Sequence, residues 1–167
     1  MCIRDRKRVI KNAEEGKKAE IIAKMNSLVA PELIKLLYKA SDSGVKISLI
    51  IRGICCLYPQ RKNLSENIKV ISIIGHFLEH SRVFWFCNNG DNEVFIGSAD
   101  WMRRNLDRRI EAIAPIEDCE LKSQLYELLQ TYINDDYFSW IMKEDGSYEK
   151  YSLDSAVNRS QMDLIRK

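Results

Sequence analysis

Two short apolar runs, AEIIAK (residues 19–24) and VKISLIIRG (45–53), bracket a stretch with helical spacing, and this limits the fold more than anything else in the chain. In APELIKLLYKASDSG (30–44), Pro31 suits a first helical turn and Leu33, Leu36, Leu37 and Ala40 share one face. Ser41-Asp42-Ser43-Gly44 then ends the helix. Runs that are apolar throughout, without alternation, read as strands covered on both faces. Strand, helix and strand of this kind make a βαβ unit, which implies a parallel pair joined by a right-handed crossover.

The rest of the chain extends the pattern. KRVIKNAEEGKKA (7–19) reads as a short helix stopped at Gly16, where glycine supplies a left-handed C-cap. Residues 54–67 read as an irregular loop, and IKVISII (68–74) as a third strand. RVFWFCNNGDNEVFIGSAD (82–100) predicts a β-hairpin turning at Asn88-Asn89-Gly90-Asp91. RRIEAIAPI (108–116) is expected to be the last strand. EDCELKSQLYELLQTYIN (117–134) is expected to be an amphipathic helix with acids in its first turn. The opening MCIRDR has no periodicity, so residues 1–9 are expected to lie outside the fold as a scar or disordered start. Residues 151–167 are expected to form a polar tail. The fold class is therefore α/β, a single domain with a mixed sheet flanked by helices.

The chain is long enough for one domain with a real core, at 167 residues. Its 26 basic and 24 acidic residues nearly cancel, so any anion-binding role must come from local clustering. No apolar run approaches the roughly 20 residues of a membrane-spanning helix, and no signal peptide opens the chain. The five cysteines are odd in number and lack C-x-x-C spacing, which argues against a zinc site or a disulfide framework. Reduced thiols in the cytoplasm are the plain expectation.

Ligands of open α/β sheets bind beyond the carboxyl ends of strands. Lys24 and Asn26 follow the first strand, Arg52 the second, and Ser98 and Asp100 the hairpin's return strand. Such a set suits a phosphate-like anion, since arginine makes forked contacts, lysine gives a point charge, and amide and hydroxyl donors orient the oxygens. Each residue taken alone reads equally as a solvated strand end. His80, between Glu79 and Arg82, reads either as a ring satisfied by a backbone carbonyl or as a proton donor to phosphate. His76 lies four residues earlier, but with no third ligand in view the pair is a poor metal site, and none is expected. GSADWMRRNLDRRIE (97–111) sets Trp101 among arginines and asparagines and reads as a phosphate-cradling loop with Arg109 as a contact. Glu111 then orients an imidazole or holds an arginine.

Three stretches together, KMNSLVAPELIKLLYKASDSGVKISLIIRGICCL, SIIGHFLEHSRVFWFCNNGDNEVFIGSADWMRRNLDRRIE and the helix near residue 125, closely resemble the C-terminal domain of bacterial polyphosphate kinase. The resemblance runs from about residue 10 to about residue 150. It implies a phospholipase D-like fold and reversible transfer of the terminal phosphate of ATP onto polyphosphate, with ADP as the other product. The family's R-G-x-C arginine, a nucleotide or phosphate contact, falls on Arg52. Its L-E-H-x-R histidine falls on His80, and the resemblance marks His76 as no site residue.

The resemblance further implies Mg²⁺ and a phosphohistidine held by regions upstream of these residues. The chain is thus expected to be a piece of the enzyme, about its last quarter, with the upstream domains as partners, homo-oligomeric as a whole and not binding nucleic acid. Phospholipase D enzymes pair H-x-K with G-S-x-N; here Arg82 stands for the lysine and Asp100 for the asparagine. That departure argues against phosphodiesterase or nuclease chemistry. A phospholipase D-type enzyme and a non-catalytic polyanion-binding module are the alternative expectations.

Overall fold

The computed structural model describes residues 3–151 and 157–165. Eight strands form one sheet in the order β6-β5-β4-β1-β2-β3-β7-β8. They are β1 (Ala19–Met25), β2 (Lys46–Ile51), β3 (Ile68–Ile73), β4 (Val83–Asn88), β5 (Asp91–Gly97), β6 (Ile113–Ile116), β7 (Ser139–Met142) and β8 (Tyr148–Lys150). The helices are α1 (Ile3–Glu14), α2 (Pro31–Asp42), α3 (Arg103–Asp107), α4 (Cys119–Ile133) and α5 (Ser160–Ile165). The central β1-β2-β3 strands are parallel, with Ala23 beside Leu49 and Leu49 beside Val70. The remaining pairings are antiparallel, so the sheet is mixed, as the sequence predicts.

The alternation of side chains along each strand sorts the core into two layers. Ile21, Ala23 and Met25 of β1 face one way and meet Val9 and Ile10 of α1 and Leu33, Ile34 and Leu37 of α2. Ile22 faces the other way, into a cluster with Ile50, Ile71, Trp85, Leu129 and Tyr132 beneath α4. Burial on both faces is what makes β1, β2 and β3 apolar throughout.

The β4–β5 hairpin turns on Asn89 and Gly90, both at positive φ (53° and 97°), with Asn88 opposite Asp91. Two left-handed residues match the twist of the flanking strands, which explains the Asn-Gly pair. Gly16 closes α1 at φ 70°.

The structure departs from the sequence expectations at four places. α1 begins at Ile3, so IRDR joins the helix. The run 97–111 contains α3. β6 is shorter than RRIEAIAPI and is not the last strand, because β7 and β8 extend the far edge. The stretch after residue 151 carries α5, whose Ser160 and Gln161 are buried. Among the described residues no helix is long and apolar enough to cross a membrane.

Candidate functional site

The parallel pairing of β1 with β2 and the antiparallel pairing of β1 with β4 bring five chain segments to one end of the sheet. The carboxyl ends of β1 and β2 lead into Asn26 and Arg52. β4 starts opposite Lys24, so the preceding His80 and Arg82 lie at that same end. β5 runs back to Gly97, opposite residue 82's neighbour Val83 at Ile96, and delivers Ser98 and Asp100. Glu111 arrives just before β6. Between these segments is an open cleft of about 700 Å³, whose walls include Asn26, Arg52, His80, Arg82, Asp100 and Arg109.

Trp101 fixes how the β5 extension meets β1. It is fully buried and stacked on Phe84, with ring centroids 5.3 Å apart and planes 9° from parallel. Its carbonyl accepts from Val29 and Ala30 N–H, and its own N–H donates to Ser27 O. Trp101 is therefore a core anchor and not part of a phosphate-cradling loop. The chain on either side of it is held against the end of β1, which sets Asp100 beside Asn26.

From there a continuous polar chain crosses the floor of the cleft. Arg52 donates from Nε (3.3 Å) and Nη2 (2.8 Å) to Asn26 Oδ1. The Asn26 backbone N–H (2.8 Å) and Nδ2 (3.2 Å) donate to Asp100 Oδ1. Arg82 closes a fork on the same carboxylate, Nε to Oδ1 at 3.2 Å and Nη2 to Oδ2 at 3.1 Å. Its remaining amino group, Nη1, donates to His80 O and to His80 Nδ1, each at 3.0 Å.

Guanidinium has no acceptor, so Nδ1 of His80 must be the acceptor, and the neutral ring carries its hydrogen on Nε2. His80 is exposed in the cleft wall. Among the described residues the network leaves two donors unengaged on side chains that line the cleft, the Nε2–H of His80 and the Nη1 group of Arg52. Burial by itself would raise the Asp100 carboxyl, but the Arg82 and Asn26 hydrogen bonds and the Arg82 charge outweigh it and hold it below the usual carboxylate range.

A second group lines the β6 side. Glu111 accepts from Ser98 Oγ and from Asn105 Nδ2 (2.5 Å), with Arg109 Nε at 3.6 Å. The Ser98 and Asn105 hydrogen bonds hold the Glu111 carboxyl below its ordinary value. Glu111 therefore holds an arginine, one of the two expected roles, and does not contact the imidazole. Ser98 Oγ is occupied with Glu111 and with the Ala112 N–H, at 3.1 Å from the latter.

Lys24 stands apart from the others. It lies on the α4 face of β1, almost wholly buried, and does not line the cleft. Its ammonium donates to Ser81 Oγ (2.8 Å), pairs with Glu79 (3.4 Å) and sits over the Tyr132 ring. Burial lowers its pKa, and the Glu79 carboxylate opposes that shift. The strand period explains the correction: residue 24 shares the face of Ile22, beneath α4. Its work is to brace the segment that carries His80.

Sequence reasoning treated Arg82 only as a substituted lysine and passed over Arg104, which also lines the cleft. The signal for Arg82 was its position two residues after His80. His76 is exposed and meets Phe138 edge-on, at 5.6 Å between ring centroids, on the α5 side of the segment.

A mixed eight-stranded sheet with its histidine and G-S-x-D segments meeting at one end has the phospholipase D-like α/β fold, with a cleft lined by arginine, asparagine and histidine at that end. The chain belongs to the polyphosphate kinase family, since residues 3–161 match the model described as polyphosphate kinase C-terminal domain 2. It is 58% identical over 160 residues to the polyphosphate kinase of Prochlorococcus marinus (strain MIT 9313), covering 95% of this chain and 22% of that protein. It is 52% identical to the polyphosphate kinase of Pseudomonas syringae pv. tomato, covering 81% of this chain and 18% of the relative.

The crystal structure of polyphosphate kinase from Porphyromonas gingivalis superposes with a TM-score of 0.93 at 37% identity, over 98% of this chain and 25% of that one. Nuc from Salmonella typhimurium, a phospholipase D family member, shares the fold with a TM-score of 0.53 at 20% identity, over 75% of this chain and 84% of Nuc. The chain spans about a fifth to a quarter of the length of the kinases it matches.

Proposed function

We propose that the chain forms one wall of the phosphoryl-transfer site of a polyphosphate kinase. A histidine outside these residues attacks the γ-phosphorus of ATP, the bond from that phosphorus to the β–γ bridging oxygen breaks, and ADP departs. A terminal oxygen of polyphosphate then attacks the phosphohistidine, breaking the P–N bond and lengthening the polymer. His80 donates Nε2–H to a phosphate oxygen as negative charge builds on it. Arg52 neutralises nonbridging oxygens, with Arg109 at the cleft margin. Fixed donors of this kind supply most of the catalysis in phosphoryl transfer.

The observation that supports this reading is the chain Arg52–Asn26–Asp100–Arg82–His80, which orients two anion donors toward one cleft. The phosphodiesterase reading lacks such support, because Arg82, at the place of the H-x-K lysine, is engaged by Asp100 and His80. Nor do the residues here fit magnesium. Both cleft carboxylates are occupied by donors, and no group of His, Cys, Asp and Glu among the described residues is arranged to hold a metal ion. Ligands for Mg²⁺ would then come from the upstream domains. The free thiols of Cys55, Cys56, Cys87 and Cys119 accord with a cytoplasmic setting.

The test is steady-state synthesis of polyphosphate by the full-length enzyme. His80→Ala should cost on the order of 10²–10³ in turnover. His80→Gln, whose amide places a donor near the position of Nε2, should recover part of that loss. Normal turnover by His80→Ala would refute the role given to the imidazole. The 167-residue chain alone should make no polyphosphate.

A further inference from the structure

The segment between β3 and β4 that carries His80 has little apolar anchorage: Phe77 is 53% and Leu78 71% exposed. Its position depends on polar contacts, and one partner comes from the far end of the chain. Gln161, in α5, is 2% exposed, and its amide meets the Phe77 backbone from both sides. Oε1 accepts the Phe77 N–H at 3.0 Å, and Nε2 donates to Phe77 O at 2.8 Å. The same Nε2 donates to Glu79 Oε1 at 3.2 Å. These contacts satisfy the amide as an adjacent β-strand would satisfy a backbone.

Both ends of this clamp are themselves fixed. Asp135 Oδ2 accepts from Ser160 N (2.8 Å) and Oγ (2.5 Å), while Oδ1 accepts from Phe138 N, so the start of α5 is tied to the entry of β7. The other oxygen of Glu79 accepts from Tyr132 OH at 2.8 Å and pairs with Lys24. Gly75 leaves the room that the clamp needs, since a Cβ there would lie 2.3 Å from Gln161 Oε1. Glu79 and His80 are neighbours in the chain, so whatever fixes Glu79 sets where the imidazole stands.

We propose that Gln161 is a positioning residue for phosphoryl transfer, acting through the Phe77–Glu79 backbone to hold His80 at the cleft. This rests on the reading of His80 given above. A residue that acts only through His80 has nothing left to contribute once the imidazole is gone, whereas a residue needed merely for folding costs the same with or without it.

The experiment is a double-mutant cycle in the full-length kinase, with Gln161→Met to keep the shape of the side chain while removing its hydrogen bonds. kcat should fall about tenfold, equivalent to roughly 1.4 kcal/mol, with the KM for ATP changed less than about twofold. In a His80→Ala background the same substitution should change nothing further. Amide exchange at Phe77 should quicken by about tenfold or more as its acceptor is lost. Equal losses in both backgrounds, or unaltered exchange at Phe77, overturn the proposal. Faster exchange with full turnover, in an enzyme that His80→Ala still impairs, overturns the positioning role while leaving the reading of the cleft intact. Full turnover by His80→Ala removes the reading of the cleft and this role with it. If Gln161→Met fails to fold, Gln161→Glu keeps an acceptor for the Phe77 N–H but loses both donations, and it is judged by turnover alone: a loss of kcat that vanishes in the His80→Ala background supports the positioning role, and equal losses in both backgrounds or full turnover overturn it.

Discussion

Arg52 and Asn26 meet through a single acceptor: Nε and Nη2 of the guanidinium both point to Oδ1 of the amide, at 3.3 and 2.8 Å. The amide orientation follows from its neighbours, because arginine only donates and the Asp100 carboxylate on the other side only accepts. Asn26 is thus the hinge through which the carboxylate that holds Arg82 also fixes Arg52. Two residues 28 positions apart in the sequence, Arg52 and His80, are oriented by one anion between them.

From this follows a test of how the anion site is organised. Arg52→Ala should weaken binding of tripolyphosphate by at least about tenfold, as expected for loss of a charge-assisted contact of roughly 1.5–3 kcal/mol. Asn26→Ala should weaken it through the loss of orientation, and the two substitutions together should cost less than their sum. Isothermal titration at two salt concentrations checks this. Strict additivity would separate Asn26 from Arg52.

Asp100 predicts a pH dependence. A carboxyl lowered on folding contributes stability that is complete above its unfolded pKa, about 3.9, and lost as pH falls through the lower folded value. Asp100→Asn should remove that acid-side slope. At neutral pH it should also cost about 3 kcal/mol or more, because Arg82 is left partly buried without its ion-pair partner. Urea unfolding of both chains across the acid range measures each effect, and an unchanged slope assigns the acid sensitivity to other carboxylates.

The central sheet was legible because burial on both faces writes itself as unbroken apolar runs, and the β4–β5 turn because Asn-Gly has a conformational reason. The ends of strands gave Asn26, Arg52 and Asp100 as a set, but which face a strand-end side chain takes depends on strand period and on what covers that face. Hence Lys24 was placed in the cleft when α4 covers it. β7, β8 and α5 escaped because they are short and their patterns weak; they are held by pairing with β3 and by Asp135, contacts distant in sequence. Gln161 carried no local signal at all, since its partners lie 84 and 82 residues away.

Lys24 gives the sharpest contrast between the sequence expectation and the fold. A direct phosphate ligand would, on truncation, lower affinity for tripolyphosphate as Arg52→Ala does. Lys24→Met should leave that affinity within about twofold and instead lower stability by about 1–3 kcal/mol, the cost of leaving Glu79 half-buried without its cation. Thermal unfolding beside titration distinguishes the two, and a large loss of affinity with stability intact would return Lys24 to the cleft.

Gly53 offers a way to disturb the site without touching any anion donor. Its N–H donates to Asn26 O at 2.7 Å, and a Cβ at this position would stand 2.9 Å from that same oxygen and 3.2 Å from Ser27 Oγ. The oxygen belongs to the backbone and cannot swing aside, so Gly53→Ala must push the end of β2 from the end of β1, and with it Arg52 from Asn26. Gly44 is the control: its φ of 86° also disfavours alanine, but open space surrounds it and the cleft lies at the other end of β2. Both substitutions should cost about 1 kcal/mol or more of stability. Only Gly53→Ala should also weaken tripolyphosphate binding, approaching the effect of Asn26→Ala. Equal binding by the two variants would mean that the spacing between the ends of β1 and β2 does not govern how Arg52 meets its anion.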